Sequence, residues 1–215
     1  MKLLKKEFAL CIHPTCFIMP ALSVLVLVPG YPYGVSCFYV ALSIYFVCLT
    51  ARENHDAAYT LTLPVSRAEA VQARITMCAL LELAQLALLG IFTLAKYAAG
   101  WMENPAGLDA GLALIGEGFV LYTIFNMIFF PMYYKDINKP GPGFLWAGAA
   151  MFLWIVLEIV GTYAVPFVQM LDTKDPVNMG EKALFTAGAC ALFLAGTVRA
   201  GITSVKKFEE VDLSL

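Results

Sequence analysis

Three carboxylic acids lie inside strongly apolar stretches of the sequence, and their chemistry is the first to consider. They are Glu82, Glu117 and Glu158. An ionised side chain at the centre of a bilayer costs at least about 2.5–3.5 kcal/mol on insertion scales, so each acid needs a partner, a watery cavity or a proton. Two roles are open: lining a path for a polar or cationic substrate, or hydrogen bonding between helices, with Gln85 one turn from Glu82 as a local partner.

Motifs for an enzyme or an ATP-driven motor are missing from the sequence. It contains no G-x-x-x-x-G-K-[ST] phosphate-binding loop and no HExxH zinc motif, and its two histidines leave little for a catalytic triad. The six cysteines lie in or beside apolar stretches without CxxC spacing, which is typical of small hydrophobic fillers. We therefore expect no catalytic residue, no metal site and no nucleic-acid partner.

The composition predicts an all-α polytopic membrane protein. Of 215 residues, 60% are hydrophobic and 14% charged, and the mean hydropathy is +0.76. Soluble domains are about 45–50% apolar and about 25% charged, so one water-exposed core could not bury this much apolar surface. Each helical crossing needs about 20 residues, which leaves room for about six crossings in a single domain over residues 1–215.

A pass along the chain places these crossings. An amphipathic start is followed by an apolar run to Val28, which Pro14 and Pro20 should kink or restart. Five further spans are predicted at about 35–50, 75–97, 108–134, 144–170 and 183–203. In the last of them Ala187, Ala191 and Ala195 recur every fourth residue beside Gly188 and Gly196, so we expect this helix to pack closely against another helix of the same or a second chain.

Basic residues predict the orientation. With six spans and a cytoplasmic N-terminus, eleven of the fourteen Lys and Arg residues lie inside and only Lys96, Lys174 and Lys182 lie outside. The positive-inside rule therefore predicts that both termini are cytoplasmic.

The polar stretch between the second and third spans is the most informative. Asn54 and Asp56 can cap a short helix that Pro64 would stop. Ser66 and Glu69 then form an S-x-x-E capping box, so a new helix starts there and runs into the third span. This pattern predicts a short cytoplasmic helix with a rigid corner; the alternative is an ordinary solvated loop followed by a good helix start.

This stretch resembles the signature of the bacterial type-2 ABC transporter permeases, in particular the small six-span exporter subunits. The similarity extends to the layout of the whole chain, with its basic amphipathic start, six spans and charged tail. It departs from the family pattern at Ala70 and Ile75. The matching residues are Glu53, Asp56, Leu63, Pro64, Val65, Ser66, Arg67, Val71 and Arg74.

The resemblance implies a half-transporter of the bacterial plasma membrane. Two permease subunits, either two copies or this chain and a paralogue, would pair, and each would rest a coupling helix on a separate ABC ATP-binding subunit. ATP and magnesium would bind in that partner, and the cargo would be a peptide-like, amphipathic or toxic compound. The implied coupling residues are Glu53, Asp56, Leu63, Pro64, Ser66 and Arg67, and Glu82 is the strongest path candidate because the third span also carries the presumed lever.

Two other classes of function remain open. A proton-coupled secondary transporter would use Glu82, Glu117 or Glu158 as titrating groups. A membrane scaffold or immunity-type protein would transport nothing.

Overall fold

The computed structural model describes residues 2–100 and 103–211, and the regular secondary structure of this part of the chain is all helical, with no strand. Two N-terminal helices are short and irregular. The first, α1 (Lys2–Lys6), passes into a π-helical turn (Glu7–Cys11), and the second, α2 (Thr15–Ile18), continues as a 3-10 helix (Met19–Leu27). The others are α3 (Val35–Glu53), α4 (Asp56–Thr62), α5 (Arg67–Ala99), α6 (Leu112–Tyr133), α7 (Pro140–Ala164), α8 (Pro166–Leu171) and α9 (Met179–Glu209).

Five of these helices, α3, α5, α6, α7 and α9, are long and apolar enough to cross a membrane, and the N-terminal pair makes a sixth crossing if it counts as one span. The segments Leu3–Cys11 and Thr15–Leu27 meet at an angle of 97°. The bend falls where Pro14 disfavours helical backbone at the residue before it, so the predicted effect of this proline is confirmed.

Contacts at the two ends of this bent segment show that it runs the length of the bundle. Lys6 bonds to Asp56 at the start of α4, whereas the Gly30 amide donates to the Asn104 side chain, beyond the end of α5. The 33-residue helix α5, about 50 Å long, separates these two points. The two ends of the bent segment therefore lie at opposite ends of the bundle, as a crossing requires.

Several helix boundaries in the structure differ from those predicted from the sequence. The predicted helix start at Ser66 is confirmed, since α5 begins at Arg67 and continues without a break through the third span. By contrast, α7 begins at Pro140 instead of Phe144, because a proline is tolerated in the first turn of a helix. It ends at Ala164, before Pro166, so the predicted span to residue 170 is divided into α7 and α8.

In the described part of the bundle, the most extensive contact between two helices joins α6 to α9. The buried face of α9 carries Ala189, Phe193, Gly196 and Ala200. The expected stripe of Ala187, Ala191 and Ala195 lies instead on the exposed face of α9. Packing of this stripe within the chain is therefore not observed, and its packing against a second chain stays a prediction.

Large apolar side chains cover the outside of the bundle. On α7 and α9 they include Leu145, Trp146, Leu153, Leu157, Leu184 and Val198, each at least 57% exposed. In water such a surface would be strongly unfavourable, but in a bilayer these side chains face lipid tails, so it identifies a membrane-embedded helical bundle.

The α6–α9 contact predicts unequal effects of two equivalent substitutions. In Gly196→Ala the new Cβ would lie 2.7 Å from Thr123 Cγ2, whereas in Gly188→Ala it would meet nothing within 4 Å in the described part of the chain. We expect Gly196→Ala to lower the free energy of unfolding by about 1–3 kcal/mol. Gly188→Ala should be neutral or stabilising by up to about 1 kcal/mol. Thermal unfolding in detergent measures both, and equal midpoints for the two variants would contradict this account of the packing.

Candidate coupling site

Four charged side chains meet where the N-terminal segment, α4 and α5 come together. Lys6, Glu7, Asp56 and Arg74 form this acid–base cluster. Arg74 Nε donates to Glu7 Oε2, and Arg74 Nη2 donates to Asp56 Oδ2 at 2.5 Å. Lys6 Nζ lies 2.6 Å from Asp56 Oδ1 and 3.1 Å from Glu7 Oε1, so two cations and two anions neutralise one another.

The acid–base cluster is largely closed to water. The side chains of Glu7 and Arg74 are 2% and 5% exposed. Tyr133, Tyr134 and Phe208 cover it, with a cavity of only about 30 Å³ between them and the charges. Burial by itself would raise the pKa of Asp56, but Arg74 and Lys6 more than offset it and hold the pKa below its ordinary value.

Asp56 therefore joins α4 to the bundle. The prediction that Asn54 or Asp56 caps α4 is wrong, because His55, in a left-handed conformation, precedes the helix and makes no side-chain cap bond. This left-handed residue turns the chain sharply after α3 and directs the Asp56 carboxylate inward to Lys6 and Arg74.

Arg67 also points into the molecule. Its guanidinium Nη1 donates to the backbone carbonyls of Phe208 and Val211 at 2.7 and 2.8 Å and lies over the Phe208 ring. These carbonyls belong to the last turn of α9 and the residues after it, which a cation stabilises through the helix dipole. Arg67 thus attaches the start of α5 to the end of α9.

The remaining predicted residues lie at the end of α3 and at the corner between α4 and α5. Both amide and hydroxyl of Ser66 donate to Glu69 Oε2 at 2.8 Å, and the Glu69 amide donates back to Ser66 Oγ at 3.2 Å, so the capping box is confirmed. Glu53, Pro64 and Ser66 are exposed, and Leu63 is half-buried. Together with Tyr59, which is 55% exposed, these four residues form an outward surface that we call the corner surface.

The intramembrane acid Glu82 is fully buried and bonds across helices. Asn126 Nδ2 of α6 donates to Glu82 Oε2 at 2.9 Å and also lies 3.2 Å from Thr197 Oγ1 of α9. Gln85, expected beside Glu82, instead accepts from the Tyr122 hydroxyl at 2.9 Å and donates to Ser23 Oγ, also at 2.9 Å. Four segments therefore meet in one layer of polar contacts.

The other two acids lie nearer the end of the bundle opposite α4. Glu117 is 2% exposed and packs against Gly34, where an added Cβ would lie 2.8 Å from Glu117 Oε1. Glu158 Oε1 accepts from the Leu108 amide at 2.5 Å and so holds the loop before α6. Of the four predicted path residues, Glu82, Gln85 and Glu117 are buried and Glu158 is half-buried.

Carboxylates also organise the loops at that end. The Asp109 amide donates to Asp172 Oδ1 at 2.6 Å, and the Leu112 amide donates to Asp175 Oδ2 at 3.0 Å. An open cavity of about 760 Å³ lies beside them, lined in part by Glu103, Asp109, Tyr163, Asp172 and Lys174. Burial raises the pKa of Asp172 to about 6.

Sequence reasoning did not identify the structural roles of Lys6, Glu7 and Arg74. One signal was present: an arginine beside a long apolar stretch requires a buried partner or an aqueous environment. The partners could not be named, because Glu7 and Asp56 lie 67 and 18 residues away in separate segments. Asn126 was missed for the same reason.

These features define a multi-pass α-helical membrane protein without the ATP-binding motifs expected of a motor. The sequence matches the family model of the ABC-2 family transporter proteins over residues 2–209, so the chain belongs to this family. It is accordingly a membrane permease subunit of an ABC transporter, a class that works with an ABC ATP-binding partner. No curated protein and no solved structure gives a match.

The site predicts different effects for two neighbouring acids. Asp56→Ala leaves Arg74 and Lys6 without one of their two carboxylate partners, so we expect a loss of about 3–5 kcal/mol, the usual effect of breaking a buried ion pair. Glu53→Ala removes an exposed carboxylate and should change stability by less than about 0.5 kcal/mol. Urea or thermal unfolding of the purified variants distinguishes these outcomes, and a stable Asp56→Ala protein would show that the cluster does not hold α4.

The lowered pKa of Asp56 also gives the sign of a pH effect. A depressed folded-state pKa stabilises the protein at any pH above the ordinary aspartate value of about 3.9, and this contribution disappears as the pH falls through the lower folded value. The stability difference between wild type and Asp56→Ala should therefore be constant near neutral pH and shrink only in strong acid.

Proposed function

We propose that this chain is the permease subunit of an ATP-driven exporter in a bacterial plasma membrane, with both termini in the cytoplasm. A separate ABC ATP-binding subunit binds ATP and magnesium and docks on the corner surface. A second permease, either another copy or a paralogue, completes the transporter. The observation that carries the proposal is that α4, partly exposed, is ion-paired through Asp56 to the buried Arg74 of α5.

This ion pair supports a specific route for the movement. A displacement of α4 by the ATP-binding subunit acts on Asp56 and hence on Arg74, seven residues inside α5 from its first residue, Arg67. The Ser66–Glu69 capping box keeps the first turn of α5 helical, so little of the displacement is lost by fraying. Within the predicted coupling set, Glu53, Leu63, Pro64 and Ser66 would contact the partner, while Asp56 and Arg67 transmit movement to the bundle.

The proposed cytoplasmic location of the α4 end of the bundle agrees with the distribution of basic residues along the sequence. The N-terminus, the α3–α5 connection and the α9 end meet through Lys6, Asp56, Arg67 and Phe208. In the six-span arrangement these three segments lie on the side that carries most of the Lys and Arg residues. The positive-inside rule therefore supports a cytoplasmic location for the α4 end of the bundle.

The substrate path is proposed to involve Glu82 and Glu117. Both are buried in the bundle, so the conformation described is closed around them. Gln85 and Glu158 were predicted for the same path, but their hydrogen bonds to other helices and to a loop support a structural role. The cargo class proposed from the resemblance is a peptide-like, amphipathic or toxic compound.

The docking proposal predicts that the corner surface can be altered without unfolding the permease. In Glu53→Lys/Tyr59→Ala, a charge is reversed and a large aromatic contact is lost. Aromatic hot spots at interfaces contribute more than 1 kcal/mol, so binding of the ATP-binding subunit should weaken about tenfold or more. Co-purification and substrate-stimulated ATP hydrolysis measure the loss.

The matched control is Val177→Ser, which changes an exposed residue at the opposite end of the bundle. It should leave co-purification unchanged, and both proteins should keep the thermal midpoint of wild type. If the double variant co-purifies fully and retains ATP hydrolysis, the corner surface is not part of the docking site.

A proton-coupled carrier is the second candidate function, and one observation favours it. Glu82 and Glu117 are buried acids, each with one carboxyl oxygen that lacks a hydrogen-bond partner within the described residues. In proteoliposomes the carrier predicts substrate movement driven by a proton gradient without ATP. The exporter predicts movement only with the ATP-binding subunit and ATP, and it should survive collapse of the gradient by an uncoupler.

A further inference from the structure

The contact between Glu82 and Asn126 leaves two oxygen atoms unexplained. Both side chains are fully buried, and the Asn126 amide nitrogen donates to one carboxyl oxygen, Glu82 Oε2. Within residues 2–100 and 103–211, the other carboxyl oxygen, Glu82 Oε1, has no hydrogen-bond partner, and neither has the amide oxygen, Asn126 Oδ1. If Glu82 were ionised, both of these atoms would be acceptors without a donor, each with a desolvation penalty of about 1–3 kcal/mol.

No described cation forms an ion pair with Glu82. Arg74 lies about two turns earlier in α5 and is already bonded to Glu7 and Asp56. Lys96 lies nearly four turns later and donates to the Tyr33 hydroxyl. An ionised Glu82 would thus keep its full charge in the interior of a membrane protein, which is strongly unfavourable.

A single proton removes both difficulties. A carboxylic acid and a carboxamide each carry one donor and one acceptor on neighbouring atoms. With the hydrogen bond from Asn126 Nδ2 to Glu82 Oε2 already formed, a proton on Glu82 Oε1 can donate to Asn126 Oδ1. The result is a closed pair of two hydrogen bonds with no net charge, and both unpartnered oxygens are satisfied.

We propose that Glu82 is a proton-binding site and that, in this conformation, it is a neutral carboxylic acid paired with Asn126. The pair holds α5 on α6, and the second contact of Asn126, to Thr197, extends the connection to α9. Loss of the proton to water would leave Glu82 Oε1 and Asn126 Oδ1 as two buried acceptors without a donor and so weaken the contact between α5 and α6. The proposal concerns the chain alone and does not rest on the assignment of the ATP-binding partner.

Infrared difference spectroscopy of the purified permease in lipid nanodiscs at neutral pH tests the proposal. The spectrum of wild type minus that of Glu82→Gln should contain the carbonyl absorption of one protonated carboxyl group. This absorption should shift in Asn126→Leu, because the hydrogen bond to the acid is lost. A difference spectrum that contains carboxylate absorption instead would overturn the proposal.

A stability comparison gives an independent readout. Glutamine can place an N–H where the proposal puts the proton, so Glu82→Gln should keep the thermal midpoint of wild type. Glu82→Leu removes both hydrogen bonds and should lower the midpoint. If Glu82→Gln is lowered as much as Glu82→Leu, the carboxyl group acts as an ionised acceptor and the proposal is wrong.

Discussion

The acid–base cluster of Lys6, Glu7, Asp56 and Arg74 is the interaction on which the arrangement of this protein depends. Charges removed from water are stabilised only when their partners are in place with good geometry. Here the partners come from three segments: the N-terminal turn, α4 and α5. Without α4 or α5 the cluster would hold one charge in excess, and without the N-terminal turn Arg74 would lose its bond to Glu7, so the three segments are expected to assemble and move together.

The polar contacts change in character along the bundle. Ion pairs are concentrated at the α4 end, where Asp56 and Lys6 retain some exposure to water. Neutral hydrogen bonds among Gln85, Tyr122 and Ser23 occupy the middle. At the far end, carboxylates accept hydrogen bonds from loop amides. This order follows the cost of a charge, which is greatest at the bilayer centre, and it is also why a neutral acid at position 82 fits the surrounding layer.

Membership of the ABC-2 transporter family and the geometry of α5 support one mechanical interpretation. The same continuous helix carries the capping box, the buried arginine of the cluster and the buried acid of the middle layer. A helix transmits displacement along its axis because its backbone hydrogen bonds resist extension. The proposed docking surface and the proposed proton site are therefore joined by a single rigid element, although they are argued from separate contacts.

Much of the architecture could be predicted from local sequence. Apolar stretches of about 20 residues located the membrane helices, Pro14 marked the bend, and Ser66 with Glu69 marked the start of α5, because each of these effects acts within a few residues. Of the predicted coupling residues, Glu53 at the end of α3 and Pro64 and Ser66 at the corner are exposed, whereas Leu63 is half-buried. Their role in docking stays a prediction.

The partners of the charged and polar residues were decided only by the tertiary structure. Asp56 was expected to cap a helix and is ion-paired to Arg74, while Gln85 was expected beside Glu82 and bonds instead to Tyr122 and Ser23. The face of α9 that packs within the chain was likewise decided by the tertiary structure, since Phe193 and Gly196 are buried while the stripe of Ala187, Ala191 and Ala195 is exposed. Hydropathy and capping depend on neighbours in the chain, whereas a buried polar group takes whichever donor or acceptor the packing of distant helices brings within reach.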